Sequence, residues 1–395
     1  MGPSMQAHTR PRRSLLAGLV ALASSPALAA LAGAAASTPA ARPAGATQRI
    51  ATAWRLAGPG AAREGSPQGD HVGIVAIDWD AGTLQLHDPV PVPSRGHGLA
   101  ALPDGGFVAV ATRPGRWLLR CDAGGQVMAR HRIEQDTPPR SFDGHVELSA
   151  DGHWLYTAET DPATGQGWIS VRDARRLTRV AQFASGGIDP HQMLPAPGGR
   201  LMVANGGIPR NEAGRKQHLE DMAPCLTCID PASGRIEGRW TLHDARLSLR
   251  HMAWSVDAQP LLGIGLQAEH ESASQRAEAP TLAVWDGQAL SLPCRDAAAG
   301  GYAGDIAAGP GGGFVLSAQK QRLALWWHPG QPQTYTRVAE LTEPCALMSW
   351  PGGAGVTLHA ARGVARWHVR ESARMLAWPV ALAPDNHAIP LRPSA

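Results

Sequence analysis

One unit recurs along this chain. A polar residue stands five to seven positions before a Gly- or Asp-centred turn, and a β-rich run follows the turn. The clearest copy is 143–161, where His145 leads into Ser149-Ala-Asp-Gly152, and Trp154, Tyr156 and Ala158 then alternate with Leu155 and Thr157. Turn chemistry and period-2 alternation together read as a hairpin. His97 precedes Pro103-Asp-Gly-Gly106, His191 precedes Pro197-Gly-Gly199, and His251 precedes Asp257-Ala-Gln-Pro260. Asp305 and Cys345 open weaker copies, before Pro310-Gly-Gly-Gly313 and Pro351-Gly-Gly353, and His387 stands at a seventh position. Successive anchors lie 48, 46, 60, 54, 40 and 42 residues apart. A period in the forties, with short strands in each unit, is the mark of a β-propeller.

After His387 there is room for one inner strand only. The missing outer strands are expected from Gln48–Leu56, His71–Asp78 and Thr83–Val92, which read as strands. The expected fold is therefore all-β, a seven-bladed propeller of four-stranded blades. Its ring is closed by pairing the N-terminal strands with a C-terminal inner strand. No linker or composition shift interrupts 48–395, so this stretch is read as one propeller domain, and a monomer is expected.

Residues 1–29 read as an address. Pro11-Arg-Arg-Ser-Leu-Leu16 resembles a twin-arginine signal, followed by an apolar run and a small-residue exit at Ala27-Leu-Ala29. Residues 30–47 read as a disordered spacer rich in small residues. The three arginines of the first 29 residues account for the whole excess of 36 bases over 33 acids. The rest is balanced, which argues against a nucleic-acid or membrane-surface partner, and no stable membrane span is expected in the mature chain. Cys225-Leu-Thr-Cys228 lies in a predicted strand, where residues three apart face opposite ways, so two packed thiols are expected rather than a bridge.

In a propeller the first strands descend from one face around the axis, and the loops that close the second strands share that face. The inner ring at this mouth is then His97, His145, His191, His251, Asp305, Cys345 and His387. A second ring comes from Arg113, Arg116, Glu159, Asn205, Gln267, Glu269, Gln319 and His359, with Arg95 beside the first anchor. Imidazoles with a thiol and a carboxylate suit a transition metal such as copper, zinc or iron. His97, His145, His191, His251 and His387 are the expected ligands, with Glu159 and Asn205 expected behind them to fix imidazole tautomers. Two other readings stay open: a lactonase-like hydrolase using Arg113, Glu159 and a mouth histidine, and a non-catalytic scaffold whose histidines are structural. The long loop from Asn205 to Pro224 is a candidate lid carrying Arg210, Arg215 and Lys216.

Several ordered segments resemble one exported family, the family of unknown function 1513. They are Arg95-Gly-His97-Gly, Arg113-Pro-Gly-Arg116, Gly144-His145 with Ser149-Ala-Asp-Gly152 and Leu155-Tyr-Thr-Ala-Glu159, and Gly187-Ile-Asp-Pro-His191. Val203-Ala-Asn205-Gly-Gly-Ile208, Leu247-Ser-Leu-Arg-His251, Gly301-Tyr-Ala-Gly304 and Asp385-Asn-His387 continue the series. The resemblance implies a seven-bladed propeller that accompanies imelysin-type iron-uptake proteins and haem-peroxidase-like proteins in the periplasm. It thereby implies iron or redox work, with iron or copper as the metal. The address gives the first test. Replacing Arg12 and Arg13 together by lysine keeps both charges, so only receptor reading of the pair is lost. Fractionation should find the double variant in the cytoplasm, and normal export of it would contradict a twin-arginine route.

Overall fold

Glycine sets the first reversal in most repeats. Gly152 (φ +74°) and Gly198 (φ +73°) occupy the left-handed region that side chains with a Cβ avoid. Each lets an inner strand turn back into its neighbour, so that Leu148 faces Leu155 and Ala196 faces Arg200. The computed structural model describes residues 47–56 and 69–392. The signal and nearly all of the spacer read from the sequence lie outside these residues.

Seven antiparallel sheets of four strands make up the fold. The inner strands are Gly96–Ala101, Ser141–Leu148, Pro190–Ala196, Leu247–Trp254, Asp305–Ala308, Leu347–Ser349 and Leu382–Pro390. Each packs beside the inner strand of the next blade, and Leu382–Pro390 packs beside Gly96–Ala101, so the ring is complete. The anchors His97, His145, His191, His251, Asp305 and His387 all lie in these strands, and Cys345 lies two residues before one. Apolar residues from neighbouring sheets fill the space between blades. Phe142, Leu155 and Leu177 pack with Val108, Val110 and Leu118, for example, and all six are fully buried.

Closure occurs where the sequence places it. Leu382–Pro390 pairs with Gln48–Leu56, which continues outward to Asp70–Asp78 and Thr83–Pro91. The register sets Ile50 against Pro390 and Leu56 against Leu382. Buried Thr52 adds a side-chain bond, its Oγ1 donating to the His387 carbonyl at 2.8 Å. All five cysteines are free thiols, and Cys225 and Cys228 sit opposite Asn205 and Met202 in the sheet. Among the described residues no helix is long and apolar enough to cross a membrane.

The closing strand holds the two ends of the ring together, so its loss should unfold more than itself. Truncation from Pro384 onward leaves Gln48–Leu56 with an unpaired inner edge and opens the ring. A single unfolding transition lowered by many degrees is expected in a thermal melt. A truncated protein that melts like the full chain would contradict the role given to this strand.

Candidate metal centre

Five inner strands depart from regular pairing at one place, and that place is the histidine. Between Gly96 and Leu99 the inner strand spends three steps where its partner spends two, from Ala111 to Ala109. The same count holds between Pro190 and Met193 and between Leu249 and Met252. Between Phe142 and Val146, and between Pro384 and Ala388, four steps oppose two. Each of these β-bulges contains one of His97, His191, His251, His145 and His387. An extra residue in one strand re-aims the side chains it carries. The inner strands at Asp305 and Leu347 pair without a shift. Gly144, two residues into its bulge (φ +93°), shows why the local sequence matters, because a Cβ there would sit 2.9 Å from the His97 ring.

The five imidazoles converge on the axis. His145 Nε2 and His251 Nε2 each lie 3.1 Å from His387 Nε2, and His191 Nε2 lies 3.0 Å from His251 Nε2. His97 completes the group, its ring 4.6 Å from that of His387 and 4.9 Å from that of His145, centroid to centroid. One nitrogen each of His97, His145, His191 and His251 falls within 4.8 Å of every other. None of the five is more than 9% exposed. Burial first, and then the neighbouring imidazoles and arginines, hold His145, His191 and His251 well below the usual histidine range. His387 is lowered to about 3, by burial and then by His97. These rings are neutral, the form that ligates metals.

The groups that orient two of the rings come from other blades. Asp385 Oδ1 accepts from His97 Nδ1 at 2.6 Å, while its other oxygen holds Arg95 Nε. In a neutral ring this contact places the His97 proton on Nδ1 and leaves Nε2 to the cluster. Arg113 donates to His191 Nδ1 and to Asp189. A guanidinium can only donate, so the neutral His191 ring carries its proton on Nε2, aimed at His251. Asp189 also accepts from Arg210 at 2.7 Å and Arg250 at 3.1 Å. Asp305 accepts from the backbone of Ile306 and Leu347 and is 3.9 Å from His387 Nδ1, beyond hydrogen-bond reach.

The other expected mouth residues divide. Arg95 and Gln319 line a cavity beside the cluster, and Gln267 Oε1 accepts from Arg250 at 3.0 and 3.1 Å. Glu269 binds Lys216, and Arg210 and Lys216 thereby pin the 206–224 loop, whose Gly214 packs on Pro114 of another blade. Arg215 is exposed. Glu159 and Asn205 do not stand behind the imidazoles. Glu159 is fully buried within its blade, accepting from Thr157, Ser170 and Arg172 at 2.6 to 2.8 Å, and Asn205 bonds Ser185 and Thr227. Both cap second strands, but their side chains point into the blade body, and a Glu159 saturated in this way has no free oxygen for acid–base work. Arg116 pairs with Glu134 at the exposed periphery. Cys345 contacts the His359 carbonyl, and burial pushes its thiol well up, so it stays protonated. His359 is buried with no partner on either ring nitrogen. Asp385 and Asp189, which hold His97 and the arginine on His191, are the side chains around the cluster that periodicity alone missed. Asp143-Gly-His145, Asp189-Pro-His191 and Asp385-Asn-His387 share one Asp-x-His pattern, although each aspartate bonds a group other than the histidine that follows it.

A family model described as protein of unknown function (DUF1513) matches residues 90–391, and the chain belongs to that family. No curated protein matches it in sequence. Among solved structures it is similar to Kuenenia stuttgartiensis hydrazine synthase, at 15% identity and TM-score 0.55, over 80% of this chain and 94% of that one. A protein from Lactobacillus plantarum matches at 13% identity and TM-score 0.53, over 88% and 100% of the two chains. Virginiamycin B lyase from Staphylococcus aureus matches at 10% and 0.50, over 72% and 85%. At these identities the likeness is one of fold.

Neutral buried histidine has a pH signature. In the unfolded chain an imidazole takes up a proton below about 6.5, whereas folded His387 holds off to about 3. Between those values the unfolded state binds more protons, and this residue costs the metal-free fold on the order of 1 kcal/mol per pH unit. Asp143, raised to about 7 by burial, works in the opposite sense, so the readout is a difference. The stability of His387→Gln relative to the parent should rise as pH falls from 6.5 to 4 in denaturant titrations. A difference that does not change with pH would show that His387 titrates as an exposed imidazole.

Proposed function

We propose that this member of the DUF1513 family is an exported periplasmic propeller that binds a transition metal, iron or copper, on its axis, in metal acquisition or redox handling. One observation carries the reading. His387 Nε2 stands 3.1 Å from both His145 Nε2 and His251 Nε2, and one nitrogen each of His97, His145, His191 and His251 lies within 4.8 Å of every other. Nitrogens bound about 2.1 Å from a shared ion lie roughly 3 Å apart when adjacent. The partners given to His97 and His191 are side chains rather than backbone, which a purely structural role for the repeat would not require.

The donor set fits such an ion. Imidazole without thiolate suits copper, zinc, nickel and iron and disfavours calcium and magnesium. His97, His145, His251 and His387 would hold it through Nε2. His191 would join only by moving its proton, because Arg113 occupies Nδ1. Asp385 would keep the His97 ring turned inward and strengthen it as a ligand. The ion, once bound, supplies Lewis acidity or one-electron chemistry. Partners on this reading are periplasmic iron-uptake or haem-peroxidase-like proteins, and export in the folded state would allow loading before translocation.

Elemental analysis of protein purified without a histidine tag tests it. Near-stoichiometric iron or copper is expected, and His145→Ala combined with His251→Ala should abolish it while far-UV circular dichroism stays unchanged. Asp385→Asn should weaken retention by about 10- to 100-fold, the usual scale for a partner behind a ligating histidine. A parent protein that takes up no transition metal, or a double variant that retains it, would leave the cluster a structural element.

A further inference from the structure

Among the described residues, one loop covers one side of the mouth. The 206–224 loop spans the side of His145 and His191, through Arg210 on Asp189 and Lys216 on Glu269. On the other side a cavity of about 450 Å³ opens between the closing strand and the blades that begin at Asp305 and Cys345. Arg95, Tyr302, Gln319, Lys320, Glu343 and Asn386 line it, and Asp385, which orients His97, lies in its wall.

Side chains of these walls, Arg95, Lys320 and Gln319 with Asn386, present polar atoms that pair with no other described residue. Arg95 gives only Nε to Asp385, so among the described residues both of its terminal nitrogens are unbonded. Lys320 Nζ stands 4.7 Å over the Tyr302 ring and has no carboxylate partner among the described residues. Gln319 Nε2 donates to Asn386 Oδ1 at 2.7 Å, which leaves the Asn386 amide nitrogen and the Gln319 oxygen to a ligand. Glu343 is exposed and supplies an acceptor. A guanidinium fork and an ammonium match a carboxylate. The exposed glutamate accepts from a hydroxyl. The volume suits a small metabolite rather than a polymer.

We infer that this cavity binds a small hydroxycarboxylate, its carboxylate on Arg95 and Lys320 and its hydroxyl toward Glu343. As the chelate in which a metal reaches the imidazoles, this ligand rests on the metal reading above. As an anion site it stands without the metal.

Calorimetric titration of the metal-free mature protein with citrate, L-malate and inorganic phosphate tests the inference. Citrate and malate should bind and phosphate should bind at least tenfold more weakly. Lys320→Gln should weaken citrate by about 10- to 100-fold, the loss of one charge-assisted hydrogen bond, with an unchanged melting temperature and unchanged metal retention. Arg95→Gln should weaken it at least as much. Absence of citrate and malate binding, equal binding of phosphate, or undiminished citrate binding to Lys320→Gln would each overturn it. Metal content measured on the protein before the metal is removed separates the two ideas. Protein that binds citrate but no metal keeps the anion site and loses the metal reading, and the converse result does the reverse.

Discussion

The pairing of Leu382–Pro390 with Gln48–Leu56 is the contact on which the rest depends. A propeller has no edge only if its last sheet is completed, and here the completing strand comes from the far end of the chain. The same strand delivers chemistry. It brings Asp385 to His97 Nδ1 across 288 positions of sequence, and it brings His387 Nε2 to within 3.1 Å of both His145 and His251. Without closure, the imidazoles of four successive blades would lack both their central neighbour and the carboxylate that turns His97 inward. Fold stability and site assembly are one event in this molecule.

Closure alone would not bring rings together. Regular antiparallel pairing sends alternate side chains to the two faces of a sheet, and an inner strand so built presents its faces to the adjacent blades. The bulge at each histidine breaks that alternation at one residue and frees it for the axis. The inner strands at Asp305 and Leu347 keep regular pairing. They contribute no imidazole, and the cavity beside Arg95 opens on their side. The asymmetry of the mouth thus follows from which blades are bulged.

Much of this was legible before any coordinates. The spacing of the anchors, the Asp-Gly and Pro-Gly-Gly turns, and the shortage of chain after His387 together define seven blades and their closure. They also place His97, His145, His191, His251 and His387 on one ring, because a repeat puts equivalent residues in equivalent places. What the sequence hid was direction. Glu159 and Asn205 end second strands, as their position suggested, yet both side chains turn into their own blade and saturate there. No spacing rule reports which way a strand-end residue faces. Bulges are equally silent, since an inserted residue in a loop-rich repeat leaves no mark on the period. The Asp-x-His pattern was visible at Asp143, Asp189 and Asp385, but the bulge at each histidine breaks strand alternation, so the pattern did not say which ring or cation each carboxylate meets.

The partners of the rings show that the five histidines are not equivalent. Asp385 accepts a proton from His97 Nδ1 and so opens Nε2 toward the axis, whereas Arg113 donates to His191 Nδ1 and so closes Nε2 with a proton. The His191 N–H then meets His251 Nε2 at 3.0 Å, while His387 Nε2 meets the same atom at 3.1 Å. A neutral imidazole nitrogen has one lone pair, and it cannot serve two donors well. Hydrogen bonding among neutral rings therefore leaves the centre under-satisfied, with His145 Nδ1 also buried and unpartnered. A metal ion held by these rings would draw on lone pairs of His97, His145, His251 and His387. His191, held by Arg113 and carrying its proton inward, would face that ion as a hydrogen-bond donor. The arrangement suits an ion bound with an acceptor ligand of its own, for which the His191 N–H is already in place.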